Sequence, residues 1–486
     1  MKRIFSVTSL VVLTCSLALA RIINVPSQYA TIQSAVIASS NGDTVLVAPG
    51  TYRENIIFRG KTIVLTSRFY LDSDPSYIAR TIIDGSAPAH PDSGSCVRIT
   101  NGEDSTTTLQ GFTLTGGYGT LWRDEHSSGR YWEGGGVLIA LSSPTIKHNI
   151  IRNNNVNRPG GASTGGGGIR LGDGRPYILN NIIINNAGMY GGGVVSNYAS
   201  PTIRNNIIAF NVVAPVVAGT PTYGGGGIWV NGSLAGAVVP NRIENNTIVG
   251  NAVTGSGGSG AGGKAGGMLA AFSATINSRN NIVWGNTQSI GGPLNVASGS
   301  ILNATFSDVE GGYAGNGNID LNPQFADTSF YLQSTSPCVD AGDTSVAFND
   351  PMNPSLPLQA LWPSRGGLRN DIGVYGGSFR RILGTILTSV VEHTHDAVPA
   401  SVALEQNFPN PFNPTTTIVF RIAEPGLTTV RVFNTLGEEV ATLVNDNCDA
   451  GEYRISYDGS DLSSGVYFYR LSSVGLVATK RMLLVR

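Results

Sequence analysis

The stretch GGGVLIALSSPTIKHNIIRNN, from Gly134 to Asn154, is followed by four variants of itself. They read GGGGIRLGDGRPYILNNIIINN from Gly165, GGGVVSNYASPTIRNNIIAFN from Gly191, GGGGIWVNGSLAGAVVPNRIENNTIVGN from Gly224 and GGMLAAFSATINSRNNIVWGN from Gly266. Each copy is a glycine run, a short apolar strand, an Asn-Asn or His-Asn pair, a second apolar strand and one or two closing Asn. In the first three copies the last glycine and the second residue of the pair stand 13 positions apart, while successive pairs are separated by 32, 25, 40 and 35 residues. A unit of about 20 residues cannot bury its own apolar face, so the copies must stack; a metered core with unmetered connections is the mark of a solenoid.

Parallel coils stacked about 4.8 Å apart set equivalent residues directly above one another. Asn149, Asn181, Asn206, Asn246 and Asn281 are therefore expected to form a structural ladder in which each amide bonds the next. Ile150, Ile182, Ile207, Ile248 and Ile282 are expected to fill the interior beside it. His148 stands where the other copies have the first Asn of the pair, and is read as structural. The insertions, at 155–164, 187–190, 212–223 and 252–265, all precede a glycine run, so they should line one side of the rod, where binding surfaces are commonly built.

The composition fits one long solenoid with an appended module. A chain of 486 residues exceeds a single compact core, and its 63 glycines fall at fixed places in the repeat, marking corners. With 31 Lys and Arg against 32 Asp and Glu, there is no electrostatic case for a nucleic-acid partner. Residues 1–20, with Lys2 and Arg3, an apolar run and Ala18-Leu19-Ala20, read as a secretory signal peptide, which is preferred over a lipoprotein signal ending at Cys15. No later stretch approaches the ~18 apolar residues of a membrane span. Cys96, Cys338 and Cys448 then remain, an odd and scattered set without disulfide or metal spacing. An exported monomer is expected.

Ahead of the repeats, RIINVPSQYATIQSAVIASSNGDTVLVAPGTYREN places an apolar stripe, Ile32, Ala35, Val36 and 37–38, on a short helix, followed by a buried-strand run at 44–48. A helix across the first coil is the expected cap for an open solenoid end. Val25 to Ala35 and Gly42 to Asn55 resemble the opening of pectin-lyase-like right-handed parallel β-helix proteins. SPCVDAGD from Ser336 and DIGVYGG from Asp371 are similar to the closing segment of many such exported proteins. The resemblance spans 21–380 and implies an all-β, right-handed parallel β-helix solenoid with an N-terminal cap helix.

Beyond a linker at 381–403 the texture changes. Short alternating runs bounded by EPG, TLG, DAG, SSG and SVG predict a small antiparallel β-sandwich over 404–486. NFPNPFNPTT from Asn407, GEEV, GVYFYRL from Gly465 and the terminal KRMLLVR are similar to the type A sorting domain of type IX secretion substrates. That resemblance implies an address read by the secretion machinery and a location outside the cell or attached to its outer surface.

The richest insertion is YGTLWRDEHSSGRYWEGGG, from Tyr118. Aromatic faces stack on sugar rings and flanking charges bond hydroxyls or uronate carboxylates, so Trp122, Arg123, His126, Arg130, Tyr131 and Trp132 are the carbohydrate-binding candidates. A Trp pair in a long loop equally serves to pin that loop to the scaffold. Catalysis needs more: a lyase requires a base near the sugar C5 and a group to neutralise the uronate, a hydrolase two carboxyls across the bond. The residues available are Arg170, Asp173, Arg175, Asp124 and Glu125, none in a catalytic motif. A paired-Asp Ca²⁺ cluster is not present in the sequence either, so no cofactor is assigned. The reading is an exported β-helix that engages polysaccharide through loops on one side. A polysaccharide lyase or glycoside hydrolase acting on an acidic glycan, and a non-catalytic structural or adhesive protein, are the alternatives.

Overall fold

The computed structural model describes residues 20–127, 129–158, 164–215, 222, 224–234, 240–254, 264–288, 292–297, 299–378, 392–394, 402–407, 410–424, 426–448, 451–459, 462–473 and 476–485. The expected signal peptide (residues 1–19 of it), most of the expected linker and the middles of three insertions lie outside these residues.

Residues 22–309 wind into a parallel β-helix built of three long sheets of ten, nine and eight strands, each strand pairing in parallel with its counterpart one coil away. One coil shows the plan. After Gly134–Gly136 come the strands Val137–Ala140, Thr145–Lys147 and Ile150–Arg152, one in each sheet. The chain turns between the last two on a residue in the left-handed region: His148, Asn180, Asn205, Asn245 and Asn280 have φ between 52° and 56°. Asn tolerates that region better than most side chains, which is why the pair begins with it. His148 keeps the same backbone and lays its ring beside Phe69, centroids 5.1 Å apart. Glycines form the third corner because successive coils touch there. A Cβ on Gly135 would lie 2.4 Å from the Gly167 carbonyl oxygen, and one on Gly168 2.6 Å from that of Gly193.

The second residue of each pair turns inward and is buried. Asn149 Nδ2 donates to Asn181 Oδ1 at 3.1 Å, Asn181 to Asn206, Asn206 to Asn246, and Asn246 to Asn281, each at 3.0 Å. Each of these acceptor oxygens also takes the backbone N–H of the residue one rung below, as Asn206 Oδ1 does from Asn181, and each Nδ2 also donates to a strand carbonyl, as Asn206 does to Ile178. Both lone pairs and both amide protons are thus used without water. A second column runs beside the first: Asn154, Asn186, Asn211, Asn251 and Asn286, linked by bonds of 2.9 Å. These are the closing Asn of each copy.

The interior column beside the ladders is Ile151, Ile183, Ile208, Ile248 and Val283. Of the five expected core positions only Ile248 belongs to it. Ile150, Ile182, Ile207 and Ile282 are buried on the outer face of the same sheet, against Phe330, Leu332, Cys338, Ile372, Val374 and Tyr375 of a segment that returns along the rod. Strand alternation fixes which face a residue takes, but here both faces are dry, so the run of Ile carries no phase. The first Asn of the pair secures that segment: Asn205 Nδ2 donates to the carbonyls of Val374 and Gly376, both at 2.8 Å, and Asn245 Nδ2 to Asn370 Oδ1 at 3.0 Å.

At the N-terminal end the helix Ile32–Ala38 buries Ile32, Ala35 and Val36 in the solenoid core, while Ile37 is 53% exposed. Thr31 caps it, and the Glu54 carboxylate accepts the backbone N–H groups of Ile32 and Gln33, both at 2.9 Å. In the C-terminal part, two four-stranded antiparallel sheets share a core that includes Phe412, Ile418, Phe420, Val430, Val432, Tyr469 and Met482. One of these sheets takes in a short strand, Glu392–Thr394, from within the expected linker. Cys96, Cys338 and Cys448 are buried, and among the described residues none is in a disulfide.

Replacing Asn206 by Leu leaves amides above and below without partners and should lower the unfolding free energy by about 1–3 kcal/mol. Urea unfolding measures this, and the same change at Asn211 tests the second column. A different signature comes from Asp308, whose carboxyl accepts from Leu321 N and Cys338 Sγ, both at 3.2 Å, and which burial pushes up to about 6. Its folded value lies above the ordinary unfolded value of about 3.9. The native state therefore holds a proton that the unfolded chain has lost, and this contribution, complete below about pH 4, disappears as pH rises through about 6. Asp43, held down at about 2 first by its hydrogen bond with Arg21, titrates below that window. The difference in melting temperature between pH 4.5 and pH 7.5 should shrink in Asp308→Asn; an unchanged difference would mean this carboxyl is hydrated.

Candidate functional site

The insertion from Tyr118 is a β-hairpin. Gly119–Arg123 pairs antiparallel with Arg130–Glu133, flanked by Ser93–Gly94 on one side and Thr164–Gly165 on the other. Trp122 lies opposite Tyr131 and Leu121 opposite Trp132, so alternation puts the two tryptophans on opposite faces of the ribbon. Trp132 meets the Arg158 guanidinium, 3.5 Å from its ring centroid, and Tyr118 flanks the same guanidinium at 4.6 Å. Trp122 is half-buried, its Nε1 donating to Glu125 at 2.8 Å. The register thus keeps the two Trp rings from sharing one face.

The hairpin is held to the solenoid by Arg170. This residue occupies an outward position of Ile169–Gly172, between Leu138 and Val195 of the neighbouring coils. Its Nη1 and Nη2 donate to the two oxygens of Glu125 at 2.8 and 2.5 Å, and its Nε donates to Glu133 at 3.0 Å. Gly172 makes room, since a Cβ there would sit 1.9 Å from Nη1. Tyr190 donates its hydroxyl to the second Glu133 oxygen at 2.9 Å. Burial is the largest influence on both carboxylates, but the outcomes differ. Glu133 is pushed up despite Arg170 and Tyr190, whereas at Glu125 the Arg170 hydrogen bonds and charge, with Trp122, outweigh burial and hold it low. Burial works against the guanidinium too, yet the two carboxylates raise it. Arg170 is 0% exposed, so it cannot meet a substrate as a base; it positions the hairpin.

Between the hairpin tip and the coils that begin at Gly191, Gly224 and Gly266 lies a cleft of about 300 Å³. Asp124, His126, Ser127, Tyr131 and Glu133 line it from the hairpin; Tyr190, Val195, Asn197, Tyr198, Trp229, Asn231 and Phe272 line it from the solenoid. Asp124 receives Asn197 Nδ2 at 2.9 Å and the His126 N–H at 2.8 Å. Asn231 Nδ2 donates to Asn197 Oδ1 at 2.6 Å. His126 Nε2 meets Asp173 Oδ1 at 2.8 Å, and its ring lies 4.1 Å from that of Tyr198. Tyr190 and Trp229 pack edge to face behind. Two buried atoms of the lining, Trp229 Nε1 and Asn231 Oδ1, have no hydrogen-bond partner among the described residues.

Of the residues singled out from sequence, Asp124, His126 and Tyr131 meet in the cleft and Asp173 sits at its edge. Trp122 and Glu125 lie behind it. Arg123 and Arg130 face each other at the exposed end of the hairpin, and Trp132 is on its far face. Arg175 is exposed and outside the cleft; its backbone N–H donates to Ser143 Oγ at 3.0 Å. Sequence reading missed the residues supplied by later coils. Their signal is bulk or amide character at the outward positions after a glycine run, as in Val195 and Asn197 or Trp229 and Asn231, and an aromatic ring just past the strand, as in Tyr198 and Phe272. Among the described residues no group of three or more His, Cys, Asp or Glu is placed to hold a metal ion, and no helix is long and apolar enough to cross a membrane.

The parts define an exported parallel β-solenoid carrying a surface address. Residues 406–485 match the family model of the secretion system C-terminal sorting domain, here of the type IX system, so the chain is handled by that machinery, secreted and attached to the outer cell surface. No curated protein and no solved structure matches the chain.

Arg170→Met removes the cation that contacts the two buried carboxylates Glu125 and Glu133, and should cost about 3–5 kcal/mol in urea unfolding. A cost below about 1 kcal/mol would show that the hairpin is not anchored by this triad.

Proposed function

We propose that the protein is a surface-displayed β-helix that binds polysaccharide in the cleft between the hairpin and the sheet, without catalysis being assigned to it. What carries this reading is the combination in one open cleft of aromatic surface, Tyr131, Tyr198, Trp229 and Phe272, with planar polar groups, Asp124, Asn197 and Asn231. Sugar rings present apolar C–H faces and equatorial hydroxyls, and sites that recognise them need both kinds of contact. Phe272, 41% exposed at the cleft, offers a ring face to such a ligand. The resemblance of the N-terminal and closing segments to pectin-lyase-like proteins is in keeping with a glycan partner, as is delivery to the cell surface, where polysaccharide is met. The domain limits read from sequence, a solenoid at 21–380 and a sorting module from 404, remain part of this proposal.

Phe272→Ala combined with Tyr131→Ala should weaken retention on an immobilised polysaccharide about tenfold, the scale of two aromatic contacts of 0.5–1.5 kcal/mol each. Trp132→Ala, on the other side of the hairpin, should leave it unchanged. The reverse pattern would move the site to the far face of the ribbon.

A further inference from the structure

Resting on the reading of the cleft as a glycan site, we infer that its ligand is an uncharged, hydroxyl-rich polysaccharide and that polyuronates and sulfated glycans are rejected. Among the described residues no Lys or Arg lines the cleft. Arg170, behind it, is sealed and engaged by Glu125 and Glu133. His126 faces the cleft, but its Nε2 is engaged by Asp173. Against these stand four carboxylates at or behind the cleft: Asp124, Glu125, Glu133 and Asp173. A ligand carboxylate or sulfate inside the cleft would meet like charge at short range, since the exposed Arg123 and Arg130 stand outside its lining, and this discriminates against anions.

The unpartnered polar groups of the lining point the same way. Trp229 Nε1 is a donor, Asn231 Oδ1 an acceptor, and both are buried without a hydrogen-bond partner among the described residues. Trp229 itself is only 8% exposed, in the cleft floor. A sugar hydroxyl accepts one hydrogen bond and donates another, so it can satisfy both; a carboxylate can only accept.

The full-length chain is tested by affinity electrophoresis against β-glucan, mannan and xylan as uncharged probes, polygalacturonate and alginate as uronates, and dextran sulfate. At least one uncharged polymer should retard the protein, at least tenfold more strongly than any anionic one. That retardation should change less than about twofold between 20 and 500 mM salt, since no ion pair with the ligand is screened. It should weaken in Phe272→Ala, at a ring 41% exposed, and fall about tenfold once Tyr131→Ala is added. Stronger retardation by a uronate or sulfated polymer, still dependent on Phe272, overturns the charge inference while the glycan reading stands. Retardation that survives Phe272→Ala with Tyr131→Ala places binding elsewhere and overturns both, and no retardation by any of the six removes the glycan reading itself.

Discussion

The buried side-chain amides set the geometry on which everything else in the solenoid rests. An Asn inside an apolar core is costly unless every donor and acceptor is met, and here they are met only if the neighbouring coils stand in one register. A slip of one residue would leave Asn181 or Asn206 facing an isoleucine. The aliphatic columns alone would tolerate such a slip, because Ile151, Ile183 and Ile208 are interchangeable in shape with the isoleucines beside them. Burial of these columns provides most of the favourable free energy, and the amides select one stacking among several.

Register then decides what the outer surface can hold. The hairpin tip reaches over successive coils, and its contacts are spread along the sequence: Glu133 to Arg170 is 37 residues, Asp124 to Asn197 is 73. Only a scaffold that fixes one rung over the next can bring such groups within bonding distance. The Arg170 triad fastens the hairpin's base, and the rung-to-rung amide pair of Asn197 and Asn231 continues the polar surface beyond it. The site thus belongs to the stacking of coils more than to any single insertion.

That explains how much the sequence disclosed. The solenoid was legible because the thirteen-residue spacing from glycine to Asn lies within one coil, where local pattern suffices. The C-terminal module was legible for the same reason, its turns and motif being continuous in the chain. Ile150 and its equivalents were set on the wrong face because the segment that covers them, around Phe330 and Tyr375, lies far away in sequence and makes both sides of the strand apolar. The second amide column went unread because the residue before it varies, from Asn153 to Phe210 to Gly250. Trp122 and Trp132 stood as candidates in one insertion; the ribbon sets them on opposite faces. Trp229 and Phe272 could not be placed beside Asp124 without knowing which coils the hairpin overhangs.

The amide columns also have a direction. Each side chain donates toward one end of the rod and accepts from the other, so the first and last rungs need partners of a different kind. They find them in the Phe112 N–H, which donates to Asn149 Oδ1, and in Ser307 Oγ, which accepts from the Asn281 N–H. An interior coil can therefore be copied or excised as a unit during evolution, since its Asn fits equally well between any two others, whereas the terminal coils are irreplaceable. The length of the rod, and with it the reach of its outer face, is free to change by whole turns while both ends stay fixed.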